Sequence, residues 1–186
     1  DQLITLNIID VPSENCIKKY LEKPPPEWQN RSPHTGENQL YEFFKRNNDQ
    51  TWGIDMFTVA TWFFEILYVL VIIHHGSRKI IHVSVTPNPN LAWQKQQFKE
   101  ATPYGDAPKY LVHDNDPIFV SGEFQELLRN SGTKSIRTAK RSPWQNPYAE
   151  RVIGTIRREL FDFNVPRSQR HLEHLLKEYV HDYYDV

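Results

Sequence analysis

Cysteine is almost missing from this chain. A lone Cys16 excludes an internal disulfide framework and any cysteine-rich zinc site, and points to a reducing compartment. Long apolar runs are missing as well. The longest, FFEILYVLVII over 63–73, is interrupted by Glu65 and is too short to span a bilayer, so it reads as a buried strand. The first residues, DQLITLNIID, carry neither the basic start of a secretory signal nor an initiator Met. The expectation is a cytoplasmic chain and a fragment of something longer. Net charge is also nearly nil: 22 Lys and Arg against 23 Asp and Glu leave −1. That argues against a uniformly basic polyanion-binding protein, but not against a local patch. Between Arg129 and Arg170 ten Lys and Arg face three Asp and Glu, and local fields rather than totals steer polyanions.

What is present suits one main folded domain. The chain has 186 residues, 39% of them hydrophobic and 24% charged, enough to bury a core. Residues 1–22 read as the remnant of an N-terminal helix-turn-helix. In that stretch Ser13 is a candidate N-cap ahead of Ile17, Tyr20 and Leu21 at helical spacing. KPPPEWQNRSPHTG, 23–36, is a linker, because three consecutive prolines favour extended backbone and forbid a helix interior. A short helix is expected within 38–46, with Leu40, Phe43 and Phe44 on one side.

Three runs rich in β-branched and aromatic residues follow, over 51–60, 63–75 and 78–87. Their short joints predict an antiparallel meander. A helix is expected after Asn90, a short strand over 109–114, a helix over 121–132 ended by Gly132, another short strand in TKSIRTA, a helix from Pro147 and a last one from about Ser168 to Tyr184. The order βββ-α-β-α-β-α-α predicts an α/β fold: a mixed sheet, three strands antiparallel and two parallel, with helices on both faces. Trp52, Trp62 and Trp93 are expected to pack in the core or against helices. Glu65 reads as a mid-strand acid, and His74 and His75 as strand-end residues with solvent access.

Three acids sit where a core would rather have none. Asp55 lies mid-strand in WGIDMFTV, Asp114 ends KYLVHD, and Glu150 falls in the first turns of the helix after SPWQN. An ionised carboxylate among apolar neighbours is costly unless it is paired or binds a cation. Each alone reads as well as a hydrogen-bonded structural acid; together they point to a site. Carboxylates are the ligands Mg²⁺ prefers, and two such ions ~4 Å apart promote in-line attack on phosphate.

The last of these helices can be read by angle. Asn146 is a candidate N-cap and Pro147 suits the first position. Stepping ~100° per residue puts Ala149, Val152, Ile153, Ile156, Leu160 and Phe163 in one buried arc. Glu150, Gly154 and Arg157 lie on its flank, with Arg151 and Arg158 further toward solvent. Gly154 leaves room for a close approach. The arginines are either phosphate contacts or a solvated face paired with Glu150 or Glu159.

WGIDMFTV, KYLVHDNDPIF and SPWQNPYAERVIGTIRREL together resemble the catalytic core of DDE-type integrases and insertion-sequence transposases, which have the retroviral-integrase-like, ribonuclease H-like fold. The resemblance covers roughly residues 37–186. Thirty-five residues separate Asp114 from Glu150, which is that family's D-35-E spacing. The resemblance implies a catalytic triad of Asp55, Asp114 and Glu150 that holds two Mg²⁺ or Mn²⁺ ions, with Asp55 bridging both. It implies DNA as partner, at element ends and target, a homo-oligomer, and metal-dependent cleavage and joining of strands. Asp116, where relatives often carry glycine, is a rival ligand, and His113 is a packing or supporting residue rather than a ligand. Lys140, Arg141, Trp144, Gln145, Asn146, Tyr148, Arg151, Arg157 and Arg158 are the expected DNA contacts, while Trp144 also reads as an anchor of its loop on the core. Two other readings remain: a nuclease of the same fold, and a non-catalytic or domesticated DNA-binding module derived from a transposase.

Overall fold

The protein is described here by a computed structural model that covers residues 43–44, 46–138 and 146–184. The chain divides into two units, Asp1–Phe43 and Phe44–Val186. All but Phe43 of the first lies outside the described residues, as do the helix-turn-helix remnant and the linker expected there, and the architecture is that of the second.

Five strands form one sheet in the order β3-β2-β1-β4-β5. Strands β1 (Thr51–Ala60), β2 (Ile66–His74) and β3 (Ile80–Thr86) are the antiparallel meander. Helix α1 (Leu91–Ala101) then crosses to β4 (Tyr110–His113), and helix α2 (Gly122–Asn130) crosses to β5 (Lys134–Arg137). Both late strands run parallel to their neighbours, β4 to β1 and β5 to β4, as helical crossovers require. Helix α3 (Pro147–Ile156) continues into a π turn, Arg157–Phe161, and helix α4 (Gln169–Tyr184) closes the described fold. This is the ribonuclease H-like mixed sheet expected from the sequence. Among the described residues no helix is long and apolar enough to cross a membrane.

The two faces of the sheet hold separate cores. Ile54, Leu70 and Ile72 point to one side and pack with Phe98 of α1, Phe124 and Leu128 of α2, and Leu111 and Phe119. Phe57, Val59, Val69, Val71 and Ile73 point to the other and pack with Ala149, Val152, Ile153 and Ile156 of α3 and Leu172 and Leu176 of α4. Being covered on both faces, β2 is buried without a break from Val69 to Ile73, and so reads as an apolar run rather than an alternation. Each such burial contributes roughly 1.5–3 kcal/mol, which fixes the register that carries the site. Side chains cap α1 and α2: Asn90 accepts from Trp93 N–H at 2.9 Å, and Ser121 from Phe124 N–H at 3.3 Å.

The meander's first turn departs from expectation. Glu65 is not mid-strand. Thr61 N–H donates to Glu65 O and Phe64 N–H to Thr61 O, both at 2.9 Å, so a turn occupies 61–65 and β2 begins at Ile66. Phe64 takes φ 63° there. Trp62, expected in the core, is carried out to solvent with Phe63 and Phe64; Trp52 and Trp93 do pack on the α1–α2 core. Phe163 is likewise exposed rather than buried. The π turn after Ile156 adds backbone to the last turn, and the helix has ended before Phe163, so uniform stepping fails beyond Leu160.

Candidate active site

The alternation of β1 sends Ile54 to the α1–α2 side and Asp55 to the α3–α4 side. β1 and β4 are parallel with Gly53 level with Val112. Continuing that register two residues brings Asp114, just beyond the end of β4, beside Asp55. α3 docks on the same side of the sheet through Ala149, Val152, Ile153 and Ile156, and carries Glu150 at its exposed rim.

Asp55 is half-buried, and its Oδ1 accepts the Met56 N–H at 2.7 Å. Burial pushes its pKa up from 3.8 to about 6; the Met56 hydrogen bond opposes this, the charges of Asp114 and Glu150 add to it, and Arg157 pulls it down. Asp55 therefore stands in the field of two carboxylates distant from it in sequence. Glu150 is also shifted upward, by partial loss of solvent. Among the described residues no three His, Cys, Asp or Glu side chains are close enough as they stand to hold a metal ion. The donor chemistry nevertheless fits a divalent cation, since like charges that raise a neighbour's proton affinity are relieved by one. Asp114 and Glu150 are both exposed, which leaves them room to turn inward.

Asp116 lies two residues beyond Asp114. Its Oδ1 accepts Ile118 N–H at 2.8 Å, while its own N–H donates to Asp114 Oδ1 at 2.9 Å. The carboxylate is engaged in the turn after β4, and Asp114, not Asp116, raises the pKa of Asp55. His113 is fully buried. Its Nδ1 lies 2.7 Å from Asp114 O and its Nε2 2.7 Å from Ser135 Oγ. With Nδ1–H donating to the carbonyl and Nε2 accepting the hydroxyl, the ring ties the end of β4 to β5, and burial lowers its pKa.

Arg157 holds its guanidinium 5.4 Å from the centre of the Phe57 ring, two residues along β1 from Asp55. Arg151 and Arg158 are exposed on α3 and its π turn; the Arg158 guanidinium fills the space over Gly154, 3.4 Å from where a Cβ would stand. Tyr148 packs against His75 with ring centres 4.7 Å apart and the planes tilted by 55°, and the Arg78 guanidinium lies 5.5 Å from the Tyr148 ring centre. Asn146 occupies the N-cap position without capping. It is buried, and its amide N–H reaches back to Ile54 O at 3.4 Å. Lys140, Arg141, Trp144 and Gln145 lie outside the described residues.

Sequence reasoning missed His75. It is not solvent-accessible but fully buried. Its backbone N–H donates to Thr51 O at 2.9 Å, and its ring contacts those of Phe44 and Tyr148. His74 takes the outward position, within hydrogen-bond distance of Ser77 Oγ and Asp49 O. A histidine pair at a strand end carries no signal of which ring turns inward.

A family model described as the integrase core domain matches residues 131–186. The fold matches a chain of the simian T-cell lymphotropic virus intasome solved with a PP2A regulatory subunit (16% identity over 69% of this chain, TM-score 0.60). This chain spans only 47% of that one. It matches the HTLV-2 integrase catalytic core domain solved with magnesium (20% identity, 72% of this chain and 85% of that one, TM-score 0.56). It also matches the Mos1 transposase catalytic domain solved with raltegravir and magnesium (14% identity, 77% of each chain, TM-score 0.65). Comparison with curated proteins gives no match.

Proposed function

We propose that this chain, which has the fold of DDE-type integrase and transposase catalytic cores, cleaves and joins DNA strands by metal-dependent phosphoryl transfer. The observation that carries the reading is Asp55: a half-buried acid whose proton affinity is raised by burial and then by Asp114 and Glu150. Asp55 has one backbone donor, Met56 N–H, and Arg157 in its field, and against these stand burial and two further negative charges. Asp55, Asp114 and Glu150 would hold two Mg²⁺ or Mn²⁺ ions. Those ions, when bound, supply an activated water or 3′-hydroxyl and stabilise the departing oxygen.

The chain's own residues then have distinct tasks. Asp55 is fixed by the sheet and by Met56 N–H; Asp114, just beyond β4, and Glu150, on α3, are exposed and would complete the hold on the ions. Arg157 offers its charge to a phosphate beside Asp55, while Arg151 and Arg158 extend that contact along the duplex. Lys140, Arg141, Trp144, Gln145 and Tyr148 would also contact DNA in this reading. Residues 1–22 would be the remnant of an end-recognition module joined through the 23–36 linker, and action on two DNA ends implies a homo-oligomer.

The test is resolution of a branched DNA that mimics a strand-transfer product, with Mn²⁺ or Mg²⁺. Activity is expected to require metal, to fall by at least about 10³-fold (~4 kcal/mol of barrier) in Asp55→Asn, Asp114→Asn and Glu150→Gln, and to persist in Asp116→Asn. A folded, DNA-binding parent without activity would favour the non-catalytic module instead.

A further inference from the structure

The turn between β1 and β2 holds its aromatic side chains out in solvent. Trp62, Phe63 and Phe64 are 66%, 71% and 89% exposed, and Ile66 is half-exposed. The turn is not a loose loop. Thr61 N–H donates to Glu65 O and Phe64 N–H to Thr61 O, each at 2.9 Å, and Glu65 N–H donates to Thr61 Oγ1 at 3.1 Å. Phe64 is kept at φ 63°, where a bulky side chain is strained. A backbone pinned and strained so as to present an aromatic to water points to something that covers it.

A second loop adjoins the first. Trp62 N–H donates to Pro166 O at 2.8 Å, which ties the turn to the segment between the π turn and α4. That segment exposes Phe163 at 82% and Val165 at 50%, and Asn164 N–H holds it to Leu160 O at 3.0 Å. With roughly 150–250 Å² on each aromatic, the four leave on the order of 600 Å² of apolar surface in water. Soluble monomers seldom expose so large a patch. With Ile66 and Val165 added, it approaches the ~800 Å² that each partner contributes to a standard interface. The rim carries both signs. Glu65, Asp162 and Arg167 are exposed, and among the described residues none of them is in an ion pair. A patch with acid and base on its own rim is complementary to itself across a two-fold axis.

We propose that this surface is where two copies of the chain meet. Trp62, Phe63, Phe64 and Phe163 form the apolar centre of the contact, and Arg167 meets Glu65 or Asp162 across the two-fold axis. The choice of a copy as occupant draws on the homo-oligomer proposed above; the surface itself draws nothing from the metal site. β1 runs five residues, about 17 Å, from Asp55 to its end at Ala60. The contact lies beyond that end, so its readout is association rather than activity.

Sedimentation velocity on the full chain, over roughly 1–100 μM and without metal or DNA, tests it. The parent is expected to pass from monomer to dimer in that range, and a parent that stays monomeric overturns the proposal. Phe64→Gly is the cleanest variant, because glycine suits φ 63° and the side chain removed is almost wholly exposed. Its melting temperature is expected to match or exceed the parent's, while its dimer dissociation constant rises at least ~10-fold. Trp62→Ser is expected to weaken pairing likewise. Tyr104→Gly is the control: Tyr104 is also exposed, at φ 61°, but it follows α1 and lies outside both loops. Folded Phe64→Gly and Trp62→Ser that pair as tightly as the parent, or a control that weakens pairing as much as they do, overturn the contact. Hydroxyl-radical labelling of Trp62 and Phe64 is expected to fall as concentration rises through the dimerisation range. Protection that is equal at every concentration means that the chain's own residues cover the patch, and overturns pairing through it. An active monomer would sink this interface and leave the catalytic reading standing; a dimer without metal-dependent activity would do the reverse.

Discussion

Asp55 and His75 pull the stability of the fold in opposite directions as pH changes. Asp55 has its folded pKa raised from 3.8 to about 6. Between those values the folded state binds more protons than the unfolded one, so stability falls as pH rises and the full cost, on the order of 3 kcal/mol, is present above about pH 6. His75 has its folded pKa lowered from 6.5 to about 4. There the unfolded state binds more protons, so stability is fully present above 6.5 and is lost as pH falls toward 4. From pH 4 to 6 the two slopes oppose. In metal-free protein, Asp55→Asn is therefore expected to match the parent near pH 4 and to exceed it by roughly 3 kcal/mol at pH 7. Urea titrations across that range would check this, and an equal gain at both ends would mean that Asp55 is not the titrating group. The raised pKa was not legible in the residues: WGIDMFTV shows an acid among apolar neighbours, but Asp114 and Glu150 are brought to it only by sheet register and helix docking.

At the scale of elements, α3 shows where pattern reading works and where it stops. Ala149, Val152, Ile153, Ile156 and Leu160 are buried as uniform stepping predicts. The same stepping misplaces Phe163, because a π turn follows Ile156 and sequence periodicity has no mark for one. That turn separates two adjacent arginines. Arg157 goes to Phe57 and the field of Asp55, while Arg158 folds back over Gly154. The expected consequence is a split between their variants. Arg157→Gln removes a charge that lowers the pKa of Asp55, so the acid limb of the pH–rate profile moves to higher pH. Arg158→Gln leaves that limb where it is. If both meet phosphates, each also reduces the salt slope of DNA binding by about 1. Identical pH profiles for the two variants would contradict the placement of Arg157.

Across the whole molecule, the sheet order follows from element order. Three short-jointed strands can pair only as a meander, and helical crossovers make the later strands parallel. What sequence could not supply is which groups come close across elements: Asn146 and His75 both crowd the space where a Cβ on Gly53 would stand. The proposed site, drawn from β1, the end of β4 and α3, would couple ligand binding to the entire fold, since its carboxylates come near one another only when all three elements are docked. Divalent metal is therefore expected to raise the unfolding temperature of the whole domain, not of one segment. At a hundredfold excess over its dissociation constant the gain is about 2.7 kcal/mol. Protons compete for Asp55, so the gain should be full at pH 8, shrink as pH falls through about 6, and be nearly gone by pH 4.5. Asp55→Asn should abolish it at every pH. Scanning calorimetry with and without Mn²⁺ at the two pH values decides the matter. A stabilisation that is independent of pH, or that survives in Asp55→Asn, would place the ion elsewhere on the protein and separate this fold from the chemistry its three carboxylates suggest.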